Sequence, residues 1–221
     1  MIVGGTNAVS DAVSTALSAF APVTRLGGSD RYETAQQVAA YAFPTAHSAY
    51  VATGFGFADA LSAGPVAAKS GEPLLLVGTP GLDAATAQFL RSHSISRVTV
   101  VGGTAVVPPT WVQQAQTAGI SVTRVGGSTR FETSAQITAT GFGVNSSPNT
   151  YLASGVNWPD ALVAAAAAGS VPEPLLLSNT GCVPRVVGDQ LVRLGTSSMR
   201  VAGGTNALTS DVDSLSVCFV G

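Results

Sequence analysis

The chain has 221 residues, a formal net charge of −2, 46% hydrophobic residues and only 10% charged ones, against about 25% charged in an ordinary globular domain. With no basic excess to draw in a polyphosphate chain, nucleic acid is excluded as a partner. No apolar run approaches the roughly 18–20 residues of a membrane helix, so insertion into a bilayer is excluded as well.

The N-terminus opens with Ile2-Val3-Gly4-Gly5, which lacks the charged start and long apolar stretch of a secretory leader; an exported protein would carry its leader outside this sequence. From there the elements read in order. Residues 33–41 form a helix with Ser29 or Thr34 near its start, and residues 49–53 form a short apolar strand ending at Gly54. Residues 57–69 form a helix of small residues that can pack closely on a sheet. Residues 73–77 form a second apolar strand, and residues 83–92 a helix with Asp83 as its N-cap. Residues 97–101 form a strand that stops at Gly102-Gly103. Residues 108–118 form a helix with proline in its first turn, and residues 121–125 the next strand.

The same order then begins again. Arg25-Leu-Gly-Gly-Ser-Asp-Arg-Tyr-Glu-Thr-Ala35 recurs 99 residues later as Arg124-Val-Gly-Gly-Ser-Thr-Arg-Phe-Glu-Thr-Ser134. At an offset of 101, Val51-Ala-Thr-Gly54 returns as Leu152-Ala-Ser-Gly155 and Phe57-Ala-Asp-Ala-Leu61 as Trp158-Pro-Asp-Ala-Leu162. Glu72-Pro-Leu-Leu-Leu76 likewise returns as Glu173-Pro-Leu-Leu-Leu177, and Val101-Gly-Gly-Thr104 as Ala202-Gly-Gly-Thr205. Val3-Gly-Gly-Thr6 is a third copy of that last block. The organisation is therefore residues 1–24 as the final quarter of a preceding repeat, then repeats at 25–123 and 124–221. A parent with three repeats is the simplest completion. Strands alternating with helices, each strand apolar along its whole length, describe parallel sheets covered on both faces. The fold class is thus α/β, as tandem Rossmann-like units of about 100 residues each.

Ligands of such sheets sit beyond the carboxyl ends of the strands. Those ends carry Thr53, Gly54, Gly78, Thr79, Gly102, Gly103 and Thr104 in the first repeat. In the second they carry Ser154, Gly155, Ser178, Asn179, Gly203, Gly204 and Thr205. Each glycine either admits a ligand close to the backbone or simply makes the strand-to-helix turn. Gly54-Phe-Gly56 stands where a dinucleotide fingerprint belongs, but its third position is Asp59, and an acidic group there repels a pyrophosphate. Asp59 and Asp160 each follow an aromatic residue, Phe57 or Trp158, and lie in a first helical turn. Three roles stay open: support of the helix dipole, acceptance of sugar hydroxyls beside an aromatic stacking face, or an ion pair to Arg31 or Arg130. Arg25, Arg31 and Glu33, with their mates Arg124, Arg130 and Glu132, read either as a lock between neighbouring repeats or as a grip on an anionic polymer.

Catalysis finds little footing. His47 and His93 are the only histidines and both lie in the first repeat. No Gly-x-Ser-x-Gly elbow, phosphate-cradling loop or metal-ligand spacing occurs, so neither a cofactor nor a metal is expected. Cys182 and Cys218 read either as two half-buried thiols or as a disulfide, and the bridge is the favoured reading; it implies an oxidising, extracellular setting.

These ordered blocks resemble the cell wall-binding repeat 2 family, and the resemblance covers nearly the whole chain. It implies a Rossmann-like or Toprim-like unit, usually in threes around a pseudo-threefold axis, that holds a surface protein, autolysin or phage lysin non-covalently on an anionic or secondary polysaccharide of a Gram-positive wall. The family's Asp-Ala-Leu block falls on Asp59-Ala60-Leu61 and Asp160-Ala161-Leu162. Its Pro-Ile-Leu-Leu block, linked to polymer binding, falls on Pro73 to Leu76 and Pro174 to Leu177, with leucine in place of isoleucine. Thr129 stands where the first repeat has Asp30, and Pro159 where it has Ala58. The expected ligand set is Arg25, Arg31, Thr53, Gly54, Phe57, Asp59, Gly102, Gly103 and Thr104, with Arg124, Arg130, Ser154, Gly155, Trp158, Asp160, Gly203, Gly204 and Thr205 in the second repeat. The expected partner is a wall polysaccharide, and a homo-oligomer or a further repeat in the parent chain would complete a ring of three. The competing readings are a structural or self-assembly spacer, and part of a wall hydrolase active site.

Overall fold

The computed structural model describes residues 1–78 and 80–219, so Thr79 lies outside the described residues. The N-terminal quarter is a strand, β1 (Ile2–Val3), a helix, α1 (Asp11–Ser18), and a second strand, β2 (Arg25–Leu26), the two strands pairing in parallel. The first unit follows as α2 (Arg31–Ala42), β3 (Ser48–Thr53), α3 (Ala58–Ser70), β4 (Leu74–Val77), α4 (Ala84–Ser92), β5 (Arg97–Val101), α5 (Pro109–Thr117) and β6 (Ser121–Val125). The second runs through α6 (Arg130–Gly141), β7 (Asn149–Ser154), α7 (Trp158–Ser170), β8 (Leu175–Ser178), β9 (Val183–Pro184), α8 (Arg185–Leu194), β10 (Ser198–Ala202), α9 (Ser210–Asp213) and β11 (Val217–Cys218).

Every strand pairing among the described residues is parallel, as continuous apolar strands require. The first sheet has the order β4-β3-β5-β6 and the second β10-β7-β8. In each, the first strand of the unit lies in the middle, β3 between β4 and β5 and β7 between β8 and β10, so the topological switch point falls at β3/β5 and β7/β10. The repeat boundary between residues 123 and 124 falls inside β6, which pairs with β5 from Arg97↔Ser121 to Val101↔Val125 and so closes the first sheet.

Helix starts follow from local chemistry. Asp30 accepts a hydrogen bond from the Glu33 amide at 2.8 Å, while Glu33 reaches back to the Ser29 amide at 2.8 Å. Thr129, Glu132 and Ser128 repeat the device in the second unit. The N-cap of α2 is therefore Asp30, not Ser29 or Thr34, because its carboxylate points at the first free amides and Thr34 already lies inside the helix. The Ser29 and Ser128 hydrogen bonds hold Glu33 and Glu132 below the ordinary carboxyl value.

The two units share one core. Ala60, Ala63, Val66 and Ala67 of α3 bury against Ile137 of α6 and Ala161, Ala164, Ala165 and Ala168 of α7. The small-residue composition makes this approach feasible: a Cβ at Gly64 would stand 3.8 Å from the Ala165 methyl, and one at Gly169 would stand 3.3 Å from that of Ala68. α6 thus packs on α3 of the first unit and on β8 of its own. A second cluster around Val51, Leu75, Val100 and the fully buried Trp111 lies on the other face of the first sheet.

The units part company at their ends. In the first, Thr110 and Gln114 of α5 hold the loop after β4, through Thr110 Oγ1 to the Pro80 carbonyl and the Leu82 amide to Gln114 Oε1, both at 2.8 Å. In the second, α9 is a single turn, and the chain swings into β11 beside β9, where the Val183 amide meets the Ser216 carbonyl at 2.8 Å. The Cys182–Cys218 disulfide, with Cα atoms 5.7 Å apart, pins that strand.

Candidate functional site

The carboxyl ends of β3 and β5 open into a groove of about 450 Å³ whose far wall is the start of α6 from the second unit. From the first unit come Thr53, Phe57 and Asp59, with Gly103 and Val106; from the second come Ser128, Thr129, Arg130 and Thr133. This is the crevice of a topological switch point, bounded by two units rather than one.

Asp59 sits in the first turn of α3, directly behind the Gly-Gly turn of β5: a Cβ on Gly102 would come within 2.5 Å of Asp59 Oδ2. Gly102 also has φ +114°, a conformation that L side chains rarely adopt. Burial pushes the Asp59 carboxyl above its ordinary value of 3.8, against the opposing charge of Arg130 and a hydrogen bond from Thr133. Arg130 crosses the groove with its guanidinium 5.9 Å from the centre of the Phe57 ring and donates from Nη1 to the Gly155 carbonyl at 2.6 Å. Asp59 and Arg130 thus influence one another across the unit boundary without closing to ion-pair distance.

Arg31 repeats the bond of Arg130, donating to the Gly54 carbonyl at 2.6 Å. It joins Gly54, Phe57, Leu76, Trp158 and Leu162 around a smaller cavity of about 370 Å³, so the two predicted stacking aromatics face one space, one from each unit. Arg31 also borders an open groove of about 770 Å³ between the Val3–Ala8 turn, α2 and β4. Leu74 and Leu76 of the Pro-Leu-Leu-Leu strand line that groove, whereas their counterparts Leu175 and Leu177 are buried in the core that α3 and α6 share.

Other predicted residues stand elsewhere. Arg25 donates to the Gly4 carbonyl at 2.8 Å and lies 3.5 Å from Asp11. Arg124 holds the carbonyls of Gly102, Gly103 and Val107 at 2.7, 3.2 and 2.7 Å. Both guanidiniums clasp the turn after the neighbouring strand rather than face the groove. Thr53 and Ser154 are buried and accept the amides of Phe55 and Val156 at 3.2 Å, closing the strand-to-helix turn. Thr104, Gly204 and Thr205 are exposed outside the groove. Asp160 stands beside Gly203, φ +132°, as Asp59 stands beside Gly102. The sequence reading missed Ser128, Thr129 and Thr133; the repeated Arg-x-Glu was the signal that the start of α6 belonged to the site.

Among the described residues no helix is long and apolar enough to cross a membrane. The family described as Cell wall binding domain 2 (CWB2) matches residues 25–112 and 124–213. The chain is 33% identical over 190 residues to the N-acetylmuramoyl-L-alanine amidase LytC of Bacillus subtilis (strain 168), covering 86% of this chain and 38% of that protein. It is 24% identical over 213 residues to the amidase enhancer of the same organism, covering 96% and 29%. The chain therefore spans well under half the length of these relatives. Among solved structures, Cwp8 from Clostridium difficile superposes with a TM-score of 0.82 at 26% identity, covering 96% of this chain and 36% of that one. Cwp6 from Clostridium difficile gives 0.77 at 29% identity, covering 86% and 30%. With two tandem matches over most of its length and a relative above 30% identity, this chain belongs to the cell wall binding domain 2 family.

Proposed function

We propose that this chain is a non-catalytic anchor that holds a parent protein on the outside of a Gram-positive cell by gripping a secondary wall polysaccharide in the groove between its two units. The observation that carries the reading is one strand-end crevice lined by Asp59 from one unit and by Arg130 from the next, with the Arg130 guanidinium over the face of Phe57. The carboxylate accepts hydroxyl hydrogen bonds, the guanidinium meets an anionic substituent on the polymer, and Phe57 with Trp158 offers apolar faces to sugar rings. The amidase activity named for LytC belongs to that longer protein, of which this chain covers 38%. The Cys182–Cys218 bridge agrees with an exported protein.

The test is sedimentation of the purified chain with walls of the source bacterium. Binding to intact walls, lost when secondary polymers are stripped and the peptidoglycan is left, supports the reading. Equal binding to bare peptidoglycan, release of wall fragments by the chain alone, or no binding at all overturns it.

A further inference from the structure

The second unit seals a space that the first leaves open. There α8 lies on α6, and Arg193 fastens the two: Nη1 donates to the Phe142 carbonyl at 3.0 Å, and Nη2 donates to those of Ala139 at 2.9 Å and Phe142 at 2.7 Å. The matching position on α4 is Ser92, whose hydroxyl turns back to the Phe89 carbonyl of its own helix at 3.1 Å. α4 touches α2 through a lighter bond, Gln36 Nε2 to Thr86 Oγ1 at 3.3 Å. Between those helices, at the carboxyl end of β4, lies a cavity of about 580 Å³ lined by Tyr32, Glu33, Gln36, Asp83, Gln88 and Phe89 among others. The counterparts of Gln36, Asp83 and Phe89 are Ala135, Pro184 and Gln190, so the second unit changes the lining as well as closing the space.

We infer that this cavity is a second saccharide site, carried by the first unit alone, that takes an uncharged sugar residue. The lining combines hydrogen-bonding groups with aromatic surface. Glu33 and Asp83 present carboxylate oxygens, and Gln36 and Gln88 present amides, which together can accept from and donate to hydroxyls. Tyr32 and Phe89 supply apolar faces for a pyranose ring. The stack of Phe89 on His93, centroids 4.1 Å apart, fixes the orientation of that ring. Among the described residues no lysine or arginine lines the cavity, so a phosphate or uronate would face carboxylates with nothing to offset the repulsion. The Arg130 groove differs in having a guanidinium in its lining beside the Asp59 carboxylate. The site extends the wall-anchoring reading to a second contact, yet it shares none of the groove's residues.

Titration of the isotope-labelled whole chain with maltose, cellobiose and N,N′-diacetylchitobiose, and separately with glucose 6-phosphate, tests the assignment by amide chemical shift. At least one uncharged disaccharide moves the amides of Gln36, Gln88 and Phe89, while glucose 6-phosphate at equal concentration leaves them in place. The double variant F89Q/S92R, which installs the second unit's own residues, weakens that binding by about tenfold or more, and the exposed Q88A, which cannot harm the core, by about threefold. Silence of those amides with all three disaccharides overturns the site. So does equal binding of glucose 6-phosphate, or unchanged affinity in Q88A and in a folded F89Q/S92R. Wall sedimentation of the same proteins separates the two claims: a wild-type chain that binds a disaccharide here but sediments with no wall refutes the anchor and leaves this site standing.

Discussion

Arg130 donates to the carbonyl oxygen of Gly155 at 2.6 Å, tying the first turn of α6 to the end of β7. The bond holds the guanidinium over Phe57 of the preceding unit, so a contact within one unit sets the shape of a groove between two. Arg31 makes the same bond to Gly54. Both side chains are solvent-exposed, so each contributes only about 1 kcal/mol to stability through its hydrogen bond. The double variant R31A/R130A is therefore expected to stay folded, with a denaturant midpoint close to wild type, and to sediment with walls at least about tenfold more weakly. Lysine at both positions should restore little, because an ammonium cannot reach the carbonyl and lie over the ring at once. Normal wall binding by R31A/R130A would remove both arginines from the polymer contact.

Gly102→Ala should be far more damaging than Gly71→Ala. At Gly102 a methyl would come within 2.5 Å of Asp59 Oδ2 and 2.8 Å of Val106 Cγ2, on a backbone at φ +114°. At Gly71, which ends α3 at φ +67°, nothing lies within 4 Å. The expected losses are about 1 kcal/mol at Gly71, and at least about 3 kcal/mol at Gly102, where strain and clash combine. Urea denaturation of the two variants side by side checks the order.

Asp59→Asn should stabilise the chain at neutral pH. The folded-state pKa of Asp59 is raised by burial, so the folded protein takes up a proton more readily than the unfolded chain. The ionised group therefore costs stability above its folded pKa. That cost shrinks as pH falls through the folded pKa and is gone below the ordinary value of 3.8, where both states are protonated. Melting temperature against pH for wild type and D59N should show a gap at pH 7 that narrows on acidification. A D59N protein less stable than wild type at pH 7, with the deficit closing on acidification, would show Asp59 to be held ionised by Arg130.

Replacing Cys182 and Cys218 with serine should lower stability by about 3–4 kcal/mol in the chain-entropy picture. Loss of β11 from β9 should expose the Val183 amide first, since its acceptor is the Ser216 carbonyl. Hydrogen exchange at Val183, compared with Leu82 in the first unit, whose amide is held by the Gln114 side chain, reads this directly.

The repeat made most of the fold legible. Five blocks in one order located the strands, and their unbroken apolar runs made the sheets parallel. Asp83 was readable as an N-cap because it alone precedes its helix, whereas Ser29, Asp30 and Thr34 compete for one helix start and only geometry selects Asp30. Arg25 and Arg124 read equally as a lock between repeats or as ligand contacts, because a guanidinium satisfied by backbone carbonyls leaves no mark in sequence spacing; in the structure each holds the Gly-Gly turn of the preceding repeat. Periodicity could also not show that β11 abandons the place of β6, since nothing in Val217–Cys218 distinguishes one parallel neighbour from another; the cysteines did mark it as tethered.

β6 straddles the start of the second copy of the repeated sequence yet completes the sheet of the first. Gene duplication of such a segment lays down overlapping masonry rather than beads on a string, each new course toothed into the one before. A truncation placed at the sequence seam, before residue 124, would tear half a strand from the finished sheet and bare the flank of β5. The cleaner cut for anyone shortening or grafting these modules lies a few residues later, in the Gly126-Gly127 turn.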